Sequence, residues 1–182
     1  MQSLNWIELQ ATPLNFKFLN TLEENWKVVL DELDNLLYNE AVNGKSYFKS
    51  LDDGWETFDL FFAGNKKKEN CEKCPNTVKL VESSPLLVSA YICALAPESC
   101  VSPHVAPNST VCRYHLGLIV PPPIEVDRGS PTLLSTCGMK MGDEYHTWVP
   151  GKAFQLAPAK PYIAWNMGDR TRFILVVDHF RA

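Results

Sequence analysis

The fold is constrained most by a series of short runs, rich in aromatic and β-branched residues, that begins after Gly44 and continues towards the C-terminus. Glycine, proline, asparagine and aspartate, the residues that turns require, separate these runs. No helical pattern alternates with them, so the pattern favours antiparallel pairing in a sandwich, jelly-roll or barrel. The predicted strands cover residues 55–62, 86–93, 110–120, 152–156 and 172–178. Three consecutive prolines end the third of them, and residues 124–138 are predicted to form a loop.

Upstream of these runs, residues 21–43 carry a helical pattern. Apolar residues recur at spacings of three and four and share one face: Leu22, Trp26, Val29, Leu30, Leu33 and Leu37. The other face carries charged residues: Glu23, Lys27, Asp31, Glu32 and Asp34. Thr21 and Glu24 have the form of a capping box, so the helix is predicted to begin at Thr21 and to end before Asn43-Gly44. We interpret the apolar face as packing against the sheet, with a partner-binding face as the alternative.

Length and charge exclude several classes of protein. A chain of 182 residues suits one domain, here a helical part of about residues 1–43 followed by a β core of about residues 44–182. A formal charge of −4 provides no broad basic surface for nucleic acid or an anionic membrane. The longest apolar runs, such as residues 173–177, are far shorter than the roughly 20 residues of a membrane-spanning helix. We therefore expect no nucleic-acid or membrane partner, while the oligomeric state stays open.

The N-terminus and the cysteines bear on the cellular compartment. The first residues lack the basic start, apolar middle and cleavage site of a secretory signal, so a cytoplasmic location is predicted. Six cysteines in a chain of this length are too few for a disulfide scaffold, which predicts mostly reduced thiols. Cys71 and Cys74 form a C-x-x-C pair. A structural loop or a local disulfide is the first interpretation of this pair, a zinc site the second and redox catalysis the third.

Four basic residues form a second candidate site. Arg113 and His115 are two positions apart on a predicted strand, so their side chains point to the same side. Inside a jelly-roll such a polar pair needs a ligand or a mutual contact. Arg172 opens the last apolar run, and its guanidinium is a natural partner for a carboxylate. Together with His104 these residues suit a small dicarboxylate and a metal, whereas surface ion pairs and hydrogen-bonded core histidines are the alternative.

A set of motifs runs in order from about Gly54 to the C-terminus. The motifs are Asn70-Cys71-Glu72-Lys73-Cys74-Pro75-Asn76-Thr77, Pro97-Glu98-Ser99, Pro103-His104, Cys112-Arg113-Tyr114-His115-Leu116-Gly117-Leu118, Thr147-Trp148, Gly151-Lys152, Ala164-Trp165-Asn166 and the run 172–178. In this order they resemble the aspartyl/asparaginyl β-hydroxylase family. The R-x-H-L-G-L run with its upstream P-H is the most specific part. The resemblance does not extend to the helical-repeat and membrane portions of the family's long members.

The resemblance implies a fold, a chemistry and a set of site residues. The resemblance implies a mainly β, double-stranded β-helix fold (jelly-roll or cupin-like), on which the N-terminal helix would pack. It also implies a dioxygenase that uses Fe(II) and 2-oxoglutarate. By resemblance, His104 takes the position of the proximal iron ligand. Arg113 and His115 match the pair that contacts 2-oxoglutarate, and Arg172 matches the arginine that clamps its distal carboxylate. Cys93 stands where the family has a serine that touches the co-substrate.

One position departs from the family pattern. The second iron-binding histidine lies three residues before the tryptophan of the V-W pair and ten before the clamping arginine, and both counts lead here to Tyr162. A single imidazole should hold Fe(II) poorly. A Tyr162 phenolate would be a hard anionic ligand, but it must first lose a proton with an ordinary pKa of about 10. Tyr162 therefore marks either a redesigned metal centre, with His104 and Tyr162 as ligands, or a retired one.

Two functions follow from these residues and the resemblance. The first is a dioxygenase that depends on Fe(II) and 2-oxoglutarate and hydroxylates a C–H bond of an amino acid, a peptide or another small molecule. A short domain has no extra module to present a folded substrate, which favours small-molecule or peptide substrates. The alternative is a catalytically inactive homologue that binds 2-oxoglutarate or another carboxylate, because the basic residues are kept while the distal histidine is replaced.

Overall fold

The structure, a computed structural model, describes residues 13–51, 54–105, 110–122, 136–156 and 160–181. Its helices are α1 (Pro13–Glu24), α2 (Trp26–Asn43), α3 (Lys68–Lys73) and α4 (Pro75–Glu82). Its strands are β1 (Lys49–Ser50), β2 (Trp55–Phe62), β3 (Asn65–Lys66), β4 (Leu87–Leu95), β5 (Ser99–Val105), β6 (Val111–Ile119), β7 (Cys137–Met141), β8 (Glu144–His146), β9 (Ala153–Leu156), β10 (Pro161–Asn166) and β11 (Arg172–Phe180). Among the helices described, none has the length and apolar character that crossing a membrane requires.

The strands form two antiparallel sheets. The larger sheet has the order β1-β2-β4-β11-β6-β9, with β3 paired to β2, and the smaller has the order β5-β10-β7-β8. Among the described strands from β4 to β11 the chain passes repeatedly between the two sheets, and only the hairpin of β7 and β8 keeps consecutive strands in one sheet. This arrangement of eight strands confirms the predicted double-stranded β-helix.

The five predicted strands are present, but the strands of the smaller sheet were missed. The β5 segment contains Pro103 and the β10 segment begins with Pro161, and proline argues against a central strand. The β7 segment combines a glycine, two methionines and a lysine, which are poor strand formers. Of the predicted loop 124–138, residues 124–135 lie outside the described residues. Cys137 and Gly138 belong to β7, so the prediction was wrong for them.

The predicted single helix is two helices. The helical segment begins upstream of Thr21, which lies inside α1. The Thr21 hydroxyl donates a hydrogen bond to the carbonyl of Lys17 at 2.8 Å, so Thr21 is not the N-cap of this segment. Asn25 interrupts the helical segment between α1 and α2. The predicted end is confirmed, because α2 stops at Asn43 and Gly44 adopts a left-handed φ of 63°.

Two hydrophobic cores lie on opposite faces of the larger sheet. The first joins the sheet to the helices, with Leu22 and Leu33 packed in the same cluster as Leu175. The second lies between the two sheets and includes Ile174 and Val176. Neighbouring residues of β11 thus serve different cores, as strand alternation requires. The helical stripe packs against the sheet as predicted.

A buried carboxylate links two helices. Glu32 of α2 is 7% exposed although the helical pattern places it among the charged residues. Its carboxylate accepts hydrogen bonds from the backbone N–H groups of Asn76 and Thr77, both at 2.8 Å, and from the hydroxyl of Thr77 at 2.7 Å. These donors belong to the first turn of α4, whose N–H groups have no partner within the helix. Glu32 therefore caps α4 from another helix.

The C-x-x-C pair lies at the junction of α3 and α4 and is unbridged. Cys71 belongs to α3 and Cys74 joins α3 to α4, so both the loop and the local disulfide were wrong predictions. The thiol of Cys71 donates a hydrogen bond to the carbonyl of Leu60 at 3.2 Å. Burial raises the pKa of Cys74 to about 12, which keeps this thiol protonated. The pair serves as packing for the helical layer.

His179 makes the stability of the fold depend on pH. It is buried against Phe18 and Tyr114, and its Nδ1 lies 3.0 Å from the Ser84 hydroxyl. Burial lowers the pKa of His179, while the charge of Asp178 acts in the opposite direction. Because the folded pKa is lowered, the unfolded chain binds the proton first, and stability falls as the pH drops from the ordinary histidine pKa of about 6.5. We expect urea unfolding to show lower stability at about pH 5 than at about pH 7.

The His179→Gln variant should show a smaller decrease over that range than the wild-type protein. His146→Gln is the comparison variant: burial also lowers the pKa of His146, but this residue is only partly covered, so its replacement should reduce the pH dependence less than His179→Gln does. A His179→Gln variant with the same pH slope as the wild-type protein would remove His179 from this explanation.

Candidate functional site

A pocket opens between the two sheets and is lined by residues from both. Its lining residues are Trp55, Tyr91, Cys93, Val101, His115, Trp148, Tyr162, Ala164, Arg172, Ile174 and Val176. Most of these side chains are apolar or aromatic, and the few polar groups converge from several strands. Such a lining is typical of small-molecule sites.

Strand alternation decides which side chains enter the pocket. On β11 the even-numbered positions from Arg172 to Asp178 face the space between the sheets. The neighbouring strands follow the same register, because Ile174 pairs with Cys93 of β4 and Val176 pairs with His115 of β6. Arg172 and Asp178 are six residues apart, or about 20 Å at the rise of a strand. The polar groups on this face of the sheet therefore form two separate clusters. The pocket lining includes Arg172 but neither Arg113 nor Asp178.

The first cluster is centred on Arg172, which is 2% exposed. Its Nη2 donates a hydrogen bond to the sulfur of Cys93 at 3.4 Å, and its guanidinium carbon lies 4.3 Å from the ring centroid of Trp148. Its Nε and Nη1 have no hydrogen-bond partner within the described structure. A buried charge with unused donors is costly unless an anion binds it. Arg172 is therefore suited to bind a carboxylate.

Trp148 connects Arg172 to His115. Its indole N–H donates a hydrogen bond to Nδ1 of His115 at 3.4 Å, and the two rings stack with centroids 6.0 Å apart. Phe154 packs edge-on against the imidazole, with ring centroids 5.6 Å apart, and also contacts the ring of Trp148. His115 is 4% exposed and is held in one orientation by these contacts.

Cys93 lies between two donors at the same end of the pocket. The indole N–H of Trp55 donates to its sulfur at 2.9 Å, and Arg172 donates from the other side. Burial raises the pKa of Cys93, although the charge of Arg172 acts in the opposite direction. The buried thiol is therefore neutral and serves as an acceptor that helps to hold the guanidinium.

The second cluster contains Arg113, Asp178 and Tyr162. Nε and Nη2 of Arg113 donate to the two carboxylate oxygens of Asp178 at 2.7 and 2.8 Å, and Nη1 donates to the Tyr162 hydroxyl at 3.3 Å. Burial alone would lower the pKa of Arg113, but the hydrogen bonds to Asp178 raise it above its ordinary value. The contact of Arg113 with a co-substrate, which the resemblance implies, stays a prediction. In this structure Nε and Nη2 of Arg113 are already bonded to Asp178.

Tyr162 and His104 are register partners on β10 and β5. The structure thus brings together the backbones of the two residues predicted as metal ligands, while the His104 side chain lies outside what it describes. Burial raises the pKa of Tyr162 above its ordinary value, and Arg113 acts in the opposite direction. Within the described residues, no group of three histidine, cysteine, aspartate or glutamate side chains could hold a metal ion.

Two residues of this site were not predicted from the sequence. Asp178 follows Arg172 at an even spacing on the same strand, so strand alternation could have placed it on the pocket side. Trp148 lies between β8 and β9, and no local pattern relates it to Arg172 or His115.

Comparison with known proteins identifies the family of this chain. The family model described as aspartyl/asparaginyl beta-hydroxylase matches residues 23–182. The ornithine lipid ester-linked acyl 2-hydroxylase of Rhizobium tropici is 29% identical over 170 residues, which cover 90% of this chain and 57% of the relative. The aspartyl/asparaginyl beta-hydroxylase of Homo sapiens is 25% identical over 173 residues, which cover 89% of this chain and 21% of the relative. The chain therefore spans less than two thirds of either relative.

Solved structures are similar at a greater distance. The structure of KdgF from Halomonas sp. is 10% identical with a TM-score of 0.46, and the match covers 77% of this chain and 91% of that chain. The family model, by contrast, covers most of the chain, including every strand of both sheets. This chain belongs to the aspartyl/asparaginyl β-hydroxylase family.

Proposed function

We propose that this protein is a 2-oxoglutarate-dependent hydroxylase and that the distal carboxylate of 2-oxoglutarate binds to Arg172. The observation that carries the proposal is the buried guanidinium of Arg172, whose Nε and Nη1 have no partner among the described residues. A carboxylate accepts two parallel hydrogen bonds from such a fork. Membership of a family whose relatives are named hydroxylases supports the reaction type.

The residues around Arg172 are chemically suited to bind a carboxylate. Trp148 covers one face of the guanidinium and Cys93 accepts from one of its nitrogens, which leaves the remaining donors for a ligand. The apolar side chains of Ile174 and Val176 line the pocket beyond it, where the short methylene chain of 2-oxoglutarate would lie. His115 lines the same pocket and accepts a hydrogen bond from Trp148.

Iron, which the family relation implies, does not fit Tyr162. The Tyr162 hydroxyl is protonated because burial raises its pKa, and it accepts a hydrogen bond from Arg113. A metal cation at this oxygen would meet the guanidinium only 3.3 Å away and would have to displace a proton. Any iron in this proposal would therefore depend on His104 and on the co-substrate itself.

The hydrogen bond from Arg113 to Tyr162 favours a second candidate function. It joins Tyr162, at the position where the resemblance places a metal ligand, to the pair of Arg113 and Asp178. The proposed carboxylate site at Arg172 is separate from this network. A protein that binds 2-oxoglutarate or another carboxylate without hydroxylating a substrate would have this arrangement.

The substrate of the hydroxylase is proposed only as a class. One relative is named for acyl chains of a lipid and the other for aspartyl and asparaginyl residues. We favour a peptide or another small molecule, because the pocket is lined mainly by apolar and aromatic side chains with few polar groups.

An anaerobic iron titration distinguishes the two functions. The protein is loaded with Fe(II), with and without 2-oxoglutarate, and the bound metal is measured by elemental analysis. The hydroxylase predicts retention of iron when 2-oxoglutarate is present, and formation of succinate once O₂ is admitted. The carboxylate-binding protein predicts that 2-oxoglutarate binds equally well with a chelator and that no iron is retained. Absence of 2-oxoglutarate binding under all of these conditions contradicts the hydroxylase and restricts the second function to another carboxylate.

Two variants at one position serve as controls for this experiment. Tyr162→Phe removes the phenol oxygen and should leave iron retention unchanged if Tyr162 is not a ligand. Tyr162→His adds an imidazole opposite His104 and should increase iron retention. A loss of iron in Tyr162→Phe would instead establish the phenol as a ligand.

A further inference from the structure

Trp148 contacts both basic residues at the carboxylate end of the pocket. We propose that Trp148 is the positioning residue of this site: its ring orients the Arg172 guanidinium, and its N–H fixes the tautomer of His115. The inference rests on the proposed function insofar as a carboxylate is expected at Arg172. Trp148 acts through its contacts with Arg172 and His115 and does not itself contact the reacting atoms.

The orientation of Arg172 depends on Trp148 because no acidic side chain in the described structure holds it. Its hydrogen-bond acceptor there is the sulfur of Cys93 at 3.4 Å, and a thiol sulfur accepts weakly. The indole ring lies against the guanidinium with 4.3 Å between the guanidinium carbon and the ring centroid. A cation that stacks on an aromatic face inside a protein is held there without being neutralised. The unused donors thus stay oriented and available to an anion.

The N–H of Trp148 determines which nitrogen of His115 carries the proton. Nδ1 accepts the hydrogen bond from the indole, so in the neutral imidazole the proton must be on Nε2. His115 lines the pocket, and this tautomer makes its Nε2 a hydrogen-bond donor. A carboxylate needs donors, and the opposite tautomer would present a lone pair at Nε2.

The segment that carries Trp148 is fixed to β6 at Gly117. The N–H of Gly117 donates to the carbonyl of Lys152 at 3.0 Å, and the N–H of Gly151 donates to the carbonyl of Gly117 at 2.9 Å. A Cβ at position 117 would overlap the carbonyl of Val149. Glycine is thus required in the R-x-H-L-G-L motif because the backbone next to Trp148 lies directly against it. The same strand carries His115 two residues earlier, so both partners of the hydrogen bond are positioned together.

Two substitutions separate the two roles of Trp148. Trp148→Phe keeps an aromatic face for Arg172 and loses the N–H, whereas Trp148→Leu loses both. Binding of 2-oxoglutarate is measured by calorimetry at one pH. We expect the affinity to fall about fivefold in Trp148→Phe, from loss of one hydrogen bond. In Trp148→Leu it should fall about thirtyfold or more, from the additional loss of the stacked cation.

Nitrogen NMR of the ligand-free protein tests the tautomer directly. The wild-type protein should show His115 protonated on Nε2, and Trp148→Phe should show a mixture of the two tautomers. Trp165→Phe is the matched control, since Trp165 contacts Tyr145 outside the pocket and should change neither measurement. Thermal unfolding of each variant checks that the fold is retained.

The results separate this inference from the proposed function. An unchanged His115 tautomer in Trp148→Phe overturns the role of the indole N–H, and wild-type affinity in Trp148→Leu overturns the role of the ring. If the wild-type protein does not bind 2-oxoglutarate, the proposed function fails, and the NMR measurement still decides the tautomer.

Discussion

The Arg172→Ala variant is expected to bind 2-oxoglutarate about a hundredfold more weakly than the wild-type protein, because two charge-assisted hydrogen bonds to the carboxylate are lost. The fold should survive the change. Arg172 has no acidic partner among the described residues, so its removal deletes a buried charge that the ligand-free protein has to accommodate. Calorimetry measures the affinity, and thermal unfolding with and without ligand measures the stability. The ligand should raise the melting temperature of the wild-type protein only.

Two further variants test whether the effect belongs to the fork of Arg172. Arg172→Lys keeps the positive charge but loses the two parallel donors, so it should restore only part of the affinity. Arg170→Ala removes an exposed arginine two residues away that pairs with Asp169, and it should bind 2-oxoglutarate as the wild-type protein does. Equal affinities of Arg172→Ala and the wild-type protein would remove Arg172 from the site.

The Asp178→Ala variant is expected to lose about 3–5 kcal/mol of unfolding free energy, because it leaves a buried guanidinium without its counter-charge. Asp178 is 3% exposed, and both of its oxygens accept hydrogen bonds from Arg113 at 2.7 and 2.8 Å. Arg113 would retain only the hydrogen bond to Tyr162 and its contact with the ring of Tyr91. Urea unfolding at neutral pH measures the loss.

A double variant and a surface variant complete this experiment. Arg113→Met with Asp178→Leu replaces the whole pair by apolar side chains and should recover most of the stability, because no charge is left unpaired. Asp169→Ala breaks the exposed pair with Arg170 and should leave stability unchanged. If Asp178→Ala were no less stable than Asp169→Ala, the buried pair would not contribute to the fold.

The sequence predicted the larger sheet well and the smaller sheet poorly, for a physical reason. The β11 segment is a continuous run of β-branched and aromatic residues because both of its faces are buried, and such a run is recognised easily. In the smaller sheet, β5 contains Pro103 and β10 begins with Pro161, and these two strands pair although they are distant in sequence. Strand formation there depends on tertiary contacts and not on local propensity.

The candidate site shows the same limit. Arg172 and His115 could be predicted because strand periodicity and motif spacing identify them. The engagement of Arg113 by Asp178 depends on the pairing of β6 with β11, which no local pattern gives. Glu32 illustrates the converse error: helical periodicity assigns it to the solvent side, but α4, more than forty residues later in the chain, covers it.

The alternation of β11 gives the protein two nearly independent sets of positions. Odd-numbered residues such as Phe173 and Leu175 pack in the core that contains the helices, whereas even-numbered residues such as Ile174 and Val176 line the pocket between the sheets. A variant library confined to positions 174 and 176 would therefore change the lining of the pocket and leave the packing of the helices on the sheet unchanged. Directed evolution of this scaffold could exploit that division within a single nine-residue segment.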